Sequence, residues 1–148
     1  MKIVIQRVSE ASVTIDGTVH GKIGKGFLLL VGVTNADTEQ TARKMADKLS
    51  KLRIFEDEQG KMNLSLTQAG GEILSVSQFT LLADCRKGNR PSFTGAGSPE
   101  HAEMLYLYLN EYLRSLGFTV EEGIFGAEMK VRLLNDGPVT ILLDSDQL

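Results

Sequence analysis

One apolar stretch, Glu72 to Leu82, does most to constrain how this chain can fold. Most of its residues are aliphatic or aromatic, and it lies between Gly70-Gly71 and Ala83-Asp84. A short apolar run bounded by turn residues is typical of a buried β-strand. The pattern therefore predicts a central strand, with the rest of the chain packed around it.

Polar side chains interrupt this stretch near its end. Because successive residues of a strand face opposite sides, Ser77, Phe79 and Leu81 would share one face. Gln78 and Thr80 would lie on the other. A buried hydroxyl or amide without a partner costs about 1–3 kcal/mol, so these groups should meet backbone, water or a ligand. Two interpretations stay open: hydrogen bonding at the edge of a core, or the floor of a functional site.

The composition is that of one globular domain. The chain has 148 residues, 42% of them hydrophobic and 24% charged, which is typical of soluble proteins and allows a sound core. The longest apolar run, Phe27 to Val33, is strand-sized, which predicts no membrane span. The first residues, Met1 to Arg7, alternate as a strand does and lack the apolar block of a signal peptide. We expect a cytoplasmic protein.

Few residues are available for redox or metal chemistry. A single cysteine, Cys85, excludes an internal disulfide and a multi-cysteine zinc site. With only His20 and His101 present, a histidine-based metal cluster is not expected either. No Walker-type phosphate loop and no dinucleotide fingerprint occurs. The sequence predicts neither a metal nor a cofactor.

The net charge of −3 argues against a protein that binds nucleic acid over its whole surface. One local cluster, Arg86, Lys87 and Arg90, places three cations within five residues just after the central stretch. It can be a solvated loop or a local contact with nucleic acid.

The chain opens with antiparallel β-structure. Strands are predicted over Lys2 to Val8 and Ala11 to Ile15, with a turn at Ser9-Glu10 between them. Asp16-Gly17 predicts a two-residue hairpin that leads into Thr18 to Ile23.

Two amphipathic helices follow from apolar residues at helical spacing. The first covers Thr38 to Leu52, with Asp37 as its N-cap. The second begins after Ser98 with Pro99 in its first turn and ends before Gly117. Its tyrosines at helical spacing, Tyr108 and Tyr112, are expected to pack in the core.

The C-terminal third holds further strands. Glu128 to Leu134 alternates weakly, Asn135 to Pro138 has dense turn chemistry, and Val139 to Leu143 would be the closing strand. About nine strand segments with two helices predict a single α+β domain. Its sheets would be largely antiparallel, barrel-like or two-layered, with the helices covering one side.

Ser77, Thr80 and Cys85 are possible nucleophiles, but no histidine lies near them in the sequence. A distant histidine could still approach in space and serve as the base.

Three motifs together carry a resemblance. They are Ser77-Gln78-Phe79-Thr80-Leu81, the loop Gly88-Asn89-Arg90-Pro91-Ser92-Phe93 followed by Pro99, and Asn135-Asp136-Gly137-Pro138-Val139-Thr140. In this order, over essentially the whole chain, they resemble the D-aminoacyl-tRNA deacylase family, also called D-tyrosyl-tRNA deacylase. No motif position departs from the family pattern.

The resemblance implies an activity and an assembly. Members hydrolyse the ester that joins a D-amino acid to the 3′-terminal adenosine of tRNA, accept glycine, and spare L-aminoacyl-tRNA. They are homodimers with the site at the interface. Residues 77–81 of one subunit would face a cis Gly137-Pro138 dipeptide of the other, which selects chirality. A tRNA charged with a D-amino acid or glycine is thus the expected partner, and DNA and membranes are not.

Roles for single residues come from the same resemblance. Backbone N–H groups near Phe79 and Thr80, with the Thr80 hydroxyl, would stabilise the oxyanion, and the ribose 2′-hydroxyl of the tRNA would assist. Thr80 as a covalent nucleophile is the alternative. Ser77 and Gln78 would complete the catalytic strand end, and Phe79 and Leu81 would line the substrate pocket. Arg86, Lys87 and Arg90 would contact the tRNA backbone. A binding module that kept the scaffold and lost turnover is the rival.

Overall fold

The computed structural model describes every residue from Met1 to Leu148. Eight strands, three α-helices and two short 3-10 helices make up an α+β domain. The strands are β1 Lys2–Ile15, β2 Thr18–Ile23, β3 Gly26–Gly32, β4 Arg53–Glu56, β5 Met62–Ser65, β6 Glu72–Ser77, β7 Val120–Glu122 and β8 Lys130–Asp144. The helices are α1 Glu39–Ser50, α2 Leu66–Ala69 and α3 Pro99–Ser115, and the 3-10 helices are Phe79–Leu82 and Ser145–Gln147.

Six strands form one sheet that is nearly closed into a barrel. The order is β2-β1-β3-β6-β7, with β8 on the other side of β1. The pairs that involve β1 are antiparallel, as expected, whereas β6 runs parallel to β3 and to β7. The two ends of this order approach each other where the His20 ring Nδ1 lies 3.0 Å from the carbonyl oxygen of Glu122. The barrel-like α+β fold is therefore confirmed, with a mixed sheet.

The sheet separates two apolar clusters. Phe27 and Leu29 of β3 face the larger cluster, which includes the buried sides of α1 and α3, while Leu28 between them faces the smaller one. Both faces of β3 are thus covered, which explains its continuous apolar run. The helices cover one side of the sheet, as the sequence predicts.

The predicted turn at Ser9-Glu10 is wrong, because β1 is one continuous strand of 14 residues. Its pairing with β8 shifts register between Gln6 and Val8 and again between Val8 and Glu10. Such bulges absorb unpaired residues without ending a strand. Ser9 and Glu10 are exposed, which accounts for their turn-like polarity.

The predicted break at Asn135 to Pro138 is also absent, since β8 continues through it. Gln6 pairs with Thr140 and Val8 pairs with Asn135, so four residues of β8 lie opposite the single residue between those two β1 positions. These residues, Asp136 to Val139, are called the β8 bulge below. Turn chemistry here serves a bulge inside a strand.

Both predicted main helices are present, with one corrected cap. Helix α1 begins after Thr38, which forms a capping box with Thr41. Asp37, the predicted cap, is buried, and its carboxylate accepts from the amino group of Met1 at 2.6 Å. Helix α3 begins at Pro99, as predicted. No helix is both long and apolar enough to cross a membrane.

Candidate functional site

The central strand is shorter than predicted, and its end opens a cavity. Strand β6 stops at Ser77, and a 3-10 helix begins at Phe79. The Gln78 amide still donates to the Val31 carbonyl at 2.8 Å, but β3 ends one residue later at Gly32 and offers no further ladder. A Cβ on Gly32 would lie 3.2 Å from the Gln78 carbonyl oxygen, so the turn fits closely against a glycine. The predicted face alternation beyond Ser77 is therefore wrong.

The cavity at this strand end has a volume of about 550 Å³. Ten of its 15 lining residues are hydrophobic, so it suits a flat or apolar group that a few polar atoms orient. One wall comes from Val76 to Phe79, a second from Phe93 and the start of α3, and a third from residues 125–131. Three of the predicted site residues, Ser77, Gln78 and Phe79, line it.

Thr80 lies beside the cavity and is tied to it through Gln78. The Gln78 side-chain amide donates to the Thr80 hydroxyl oxygen. Because the oxygen accepts this bond, the hydroxyl proton is left to donate to a further acceptor. Phe79 and Thr80 also occupy the first turn of the 3-10 helix, where the leading N–H groups have no partner in the helix itself. Leu81 packs towards Gly32 and does not line the cavity.

Two aromatic rings flank the cavity. Phe79 and Phe93 meet edge to face, with centroids 5.0 Å apart and planes at 73°. Both are unusually open for phenylalanine, at 54% and 37% exposed. The loop that carries Phe93 is closed by paired backbone hydrogen bonds between Asp84 and Ser92, at 2.7 and 2.9 Å. An open aromatic pair in a cavity suits stacking with a planar ligand.

The third wall was not identified from the sequence. It contains Phe125, Gly126, Ala127 and Met129, which follow β7 without periodicity. A Cβ on Gly123 would lie only 2.4 Å from the Met129 sulfur, so a larger residue there would displace the Met129 side chain that lines this wall. The pair of glycines in a segment without regular structure was the only sequence feature that marked it.

The Gly137-Pro138 dipeptide lies outside the cavity of its own chain. Its peptide bond is cis, and both residues are exposed at the tip of the β8 bulge. Val131 is the one residue of β8 that lines the cavity. Gly137 has a φ of +134°, and a Cβ there would lie 2.8 Å from a Val139 methyl group, so only glycine fits without strain.

The β8 bulge is held from behind by Arg7, which sequence reasoning also missed. Arg7 is only 4% exposed. Its Nε donates to the Asp136 carbonyl at 3.0 Å and its Nη1 to the Ile54 carbonyl at 2.7 Å. The Asn135 amide donates to the carbonyls of Arg7 and Val139, both at 3.0 Å. The bulge is consequently a rigid projection.

The three cations of the basic cluster differ. Arg86 is paired with Asp84 at 2.6 Å, and this contact lowers the pKa of the Asp84 carboxyl and raises that of the Arg86 guanidinium. Lys87 and Arg90 are exposed and form no ion pair. They are the cations of this loop that remain open to a phosphate.

Neither histidine lines the cavity. His20 faces the Glu122 carbonyl, and the His101 Nε2 lies 3.0 Å from the Asp37 carbonyl. Cys85 is exposed and free. A histidine-assisted nucleophile at the cavity therefore has no support from the geometry.

Comparison with known proteins decides the family. The sequence profile of the family described as D-Tyr-tRNA(Tyr) deacylase matches residues 4–144. The chain belongs to this family. A D-aminoacyl-tRNA deacylase of Bacillus velezensis is 58% identical over 147 residues, covering 99% of this chain and 100% of that protein. Another, from Brevibacillus brevis, is 59% identical over 98% of this chain and 100% of that protein.

Solved structures agree. A structure titled c-Myc DNA Unwinding Element Binding Protein has a TM-score of 0.91 and 44% identity, covering 97% of this chain and 98% of that chain. A probable eukaryotic D-amino acid tRNA deacylase has a TM-score of 0.84 at 17% identity, covering 96% and 97%, which supports the fold alone. This member of the deacylase family is a hydrolase with D-aminoacyl-tRNA deacylase activity.

Proposed function

We propose that this deacylase cleaves its substrate in the cavity at the end of β6, and that Gly137-Pro138 of a second copy completes the site. One observation carries the proposal: a single chain presents a cavity beside Thr80 and, on a separate surface, a rigid exposed dipeptide. Residues 1–148 would act as one catalytic domain.

An aminoacyl ester is already activated, so positioning and charge stabilisation can suffice. In the proposed mechanism the amides of Phe79 and Thr80 and the free proton of the Thr80 hydroxyl stabilise the developing oxyanion. Gln78 orients that hydroxyl through its amide. Water would attack the ester carbonyl carbon and the bond to the ribose 3′-oxygen would break. The substrate's 2′-hydroxyl would pass the proton of the water to that leaving oxygen, in keeping with the absence of a histidine from the cavity. Ser77 supports the strand end that carries these groups.

Thr80 as a covalent nucleophile is the less favoured mechanism. A threonine hydroxyl needs a base to become nucleophilic. Its one side-chain partner is the Gln78 amide, which donates to it and cannot take its proton. This contact supports the role of hydrogen-bond donor.

Chiral selection is assigned to the main-chain carbonyls of Gly137 and Pro138. From a second subunit they would accept from the ammonium of a D-residue and collide with an L side chain. Such a filter leaves the D side chain outside and admits glycine. The contacts of Arg7 and Asn135 support this role, because a filter that works by steric collision must be rigid.

The homodimer is supported by the surface around the bulge. Strand β8 pairs only with β1, so its other edge is open. Leu134 and Leu142, on either side of the bulge, are each 58% exposed. Exposed leucines beside an open strand edge are typical of an interface.

The tRNA would be held by Phe79 stacking on the terminal adenosine, with Leu81 behind it, and by phosphate contacts of Lys87, Arg90 and, more weakly, Arg86. Since charged tRNA is the substrate, the cytoplasm is the proposed location. DNA is not proposed as a partner, although one structural relative is named for binding it.

The test is hydrolysis of D-tyrosyl-tRNA, glycyl-tRNA and L-tyrosyl-tRNA by the purified chain, together with its mass in solution. Rapid release of D-tyrosine and glycine, negligible release of L-tyrosine and a mass of two copies are expected. Equal D and L rates, or a monomer at full activity, would contradict the filter. Tight binding of a stable D-aminoacyl-adenosine analogue without turnover would favour the rival, a binding module.

A further inference from the structure

Helix α3 carries a buried polar stripe that the mechanism above does not use. Tyr106, Asn110 and Arg114 recur every four residues, so they share one helical face. Tyr106 and Asn110 are 1% and 0% exposed. This face packs against β6 and β7, the two strands that lead to opposite walls of the cavity.

Tyr106 contacts the strand that leads to the first wall and a ring of the third wall. Its hydroxyl donates to the Ser75 carbonyl at 2.7 Å, two residues before Ser77. The same carbonyl accepts from the Gly123 amide at 3.2 Å, where the third wall begins. The Tyr106 ring also lies 6.3 Å, centroid to centroid, from the ring of Phe125 in that wall. Burial raises the pKa of the Tyr106 hydroxyl, so it remains a donor.

The rest of the stripe holds β7 in place. The Asn110 amide donates to the Glu122 carboxylate at 2.8 Å, and Arg114 Nη2 donates to the same carboxylate at 3.3 Å and to the Val120 carbonyl at 2.6 Å. Two buried atoms, Ser75 Oγ and Asn110 Oδ1, have no protein partner. Apolar side chains would fill this space at lower cost, so the polar contacts indicate a role in geometry.

We propose that Tyr106 is a positioning residue for deacylation: its hydroxyl fixes the end of β6 relative to the Gly123–Met129 wall and so sets the width of the cavity. The inference rests on the proposed placement of the reaction in that cavity. It goes further in naming a residue that does not itself line the cavity.

The test is Tyr106→Phe in the full chain, which keeps the ring and removes only the donor. A small misplacement of reacting groups lowers turnover strongly, so kcat for D-tyrosyl-tRNA should fall about tenfold. KM should change less than twofold, because phosphate contacts dominate tRNA affinity. The matched control is Tyr112→Phe: it removes a hydroxyl that donates to Asp47 at 3.1 Å, away from the cavity, and kcat should be unchanged.

A structural measurement accompanies the kinetics. In Y106F the amide NMR resonances of Ser77, Gln78, Phe125 and Gly126 should shift, and in Y112F they should not. Should Y106F fail to fold, Phe125→Leu removes the ring contact between Tyr106 and the third wall, and it should shift the amide resonances of Ser77 and Gln78 on β6 as well as lower kcat. A lower kcat with those resonances unchanged would contradict positioning through Tyr106.

The outcomes separate this inference from the proposed function. If Thr80→Ala lowers kcat while Y106F leaves kcat and the resonances unchanged, positioning by Tyr106 is wrong and the cavity assignment stands. Equal losses of kcat in Y106F and Y112F would likewise overturn it, because the effect would be general destabilisation. If neither Y106F nor T80A changes kcat, the cavity is not the reaction site and both fail.

Discussion

The end of β6 and the β8 bulge carry two of the three motifs of this deacylase, and they differ in shape and in construction. The first is concave, mostly apolar and assembled from three separate segments. The second is convex, exposed and built from four consecutive residues that one buried arginine supports. The cavity and the projecting β8 bulge do not meet within one chain, and their shapes are complementary. The difference teaches that, in the proposed dimer, each subunit would supply the cavity of one site and the projection of the other.

The largest effect is expected at Arg7, which holds the β8 bulge in place. In Arg7→Met the buried Ile54 carbonyl and the partly buried Asp136 carbonyl lose their donor, and an unsatisfied buried group costs about 1–3 kcal/mol. We expect a loss of about 3–4 kcal/mol in the free energy of unfolding by urea, together with loss of D-selective turnover. The control Lys2→Met breaks an open ion pair at 3.9 Å on the same strand and should cost under about 1 kcal/mol. Equal costs would show that the bulge needs no support.

Turnover in the cavity at the end of β6 should depend on the Thr80 hydroxyl. Loss of one oxyanion donor typically costs about a hundredfold in kcat, so Thr80→Ala should retain roughly 1% of wild-type turnover. Single-turnover assays measure this, with the exposed Thr67→Ala as control. Complete inactivity with a trappable acyl adduct on the wild type would instead identify a nucleophile.

A substitution at Gly137 tests the β8 bulge by changing only its shape. In Gly137→Ala the new methyl would meet the Val139 side chain at 2.8 Å and displace the tip. Turnover of D-tyrosyl-tRNA should fall about tenfold for a displacement of this kind. The control is Gly17→Ala, which also has a positive φ, +77°, but has no atom within 4 Å of the new methyl. Unchanged turnover in both variants would remove the projection from the mechanism.

The smallest effect concerns pH and the loop beside the cavity. The folded-state pKa of Asp84 lies below its ordinary value because Arg86 binds the carboxylate. The stability from this pair is present above the unfolded value near 3.8 and is lost as pH falls through the lower folded value. Asp84→Asn should therefore slightly reduce stability at pH 7 and show no difference from wild type at strongly acid pH. A difference that persists in acid would assign the effect to something other than the ion pair.

Local pattern was sufficient for much of the fold. Apolar periodicity located α1, α3 and β3, and Asp16-Gly17 marked the first hairpin. Parallel pairing of β6 was not predictable, because an apolar strand covered on both faces has the same pattern in either direction. The bulges in β1 and β8 mimicked turns, since each leaves polar or turn-forming residues unpaired within a strand.

The candidate site was predictable where a motif lies in one stretch. Ser77, Gln78 and Phe79 do line the cavity, whereas the wall at Phe125 to Met129 comes from distant sequence without a pattern. Tyr108 and Tyr112 pack half-buried against the core, but the fully buried tyrosine is Tyr106. Helical spacing predicts which side of α3 faces the core. The position of β6 and β7 decides which residues on that side are fully buried.

The way the β8 bulge is anchored has a consequence for recognition. Ladder pairing resumes on both sides of it, at Thr140 and at Asn135, so the tip is pinned at two points only a few residues apart. A hairpin tip anchored at one end would have to surrender conformational freedom on contact. A tip fixed in advance has little conformational freedom to lose, so binding to it would not have to offset the entropy cost of ordering this segment.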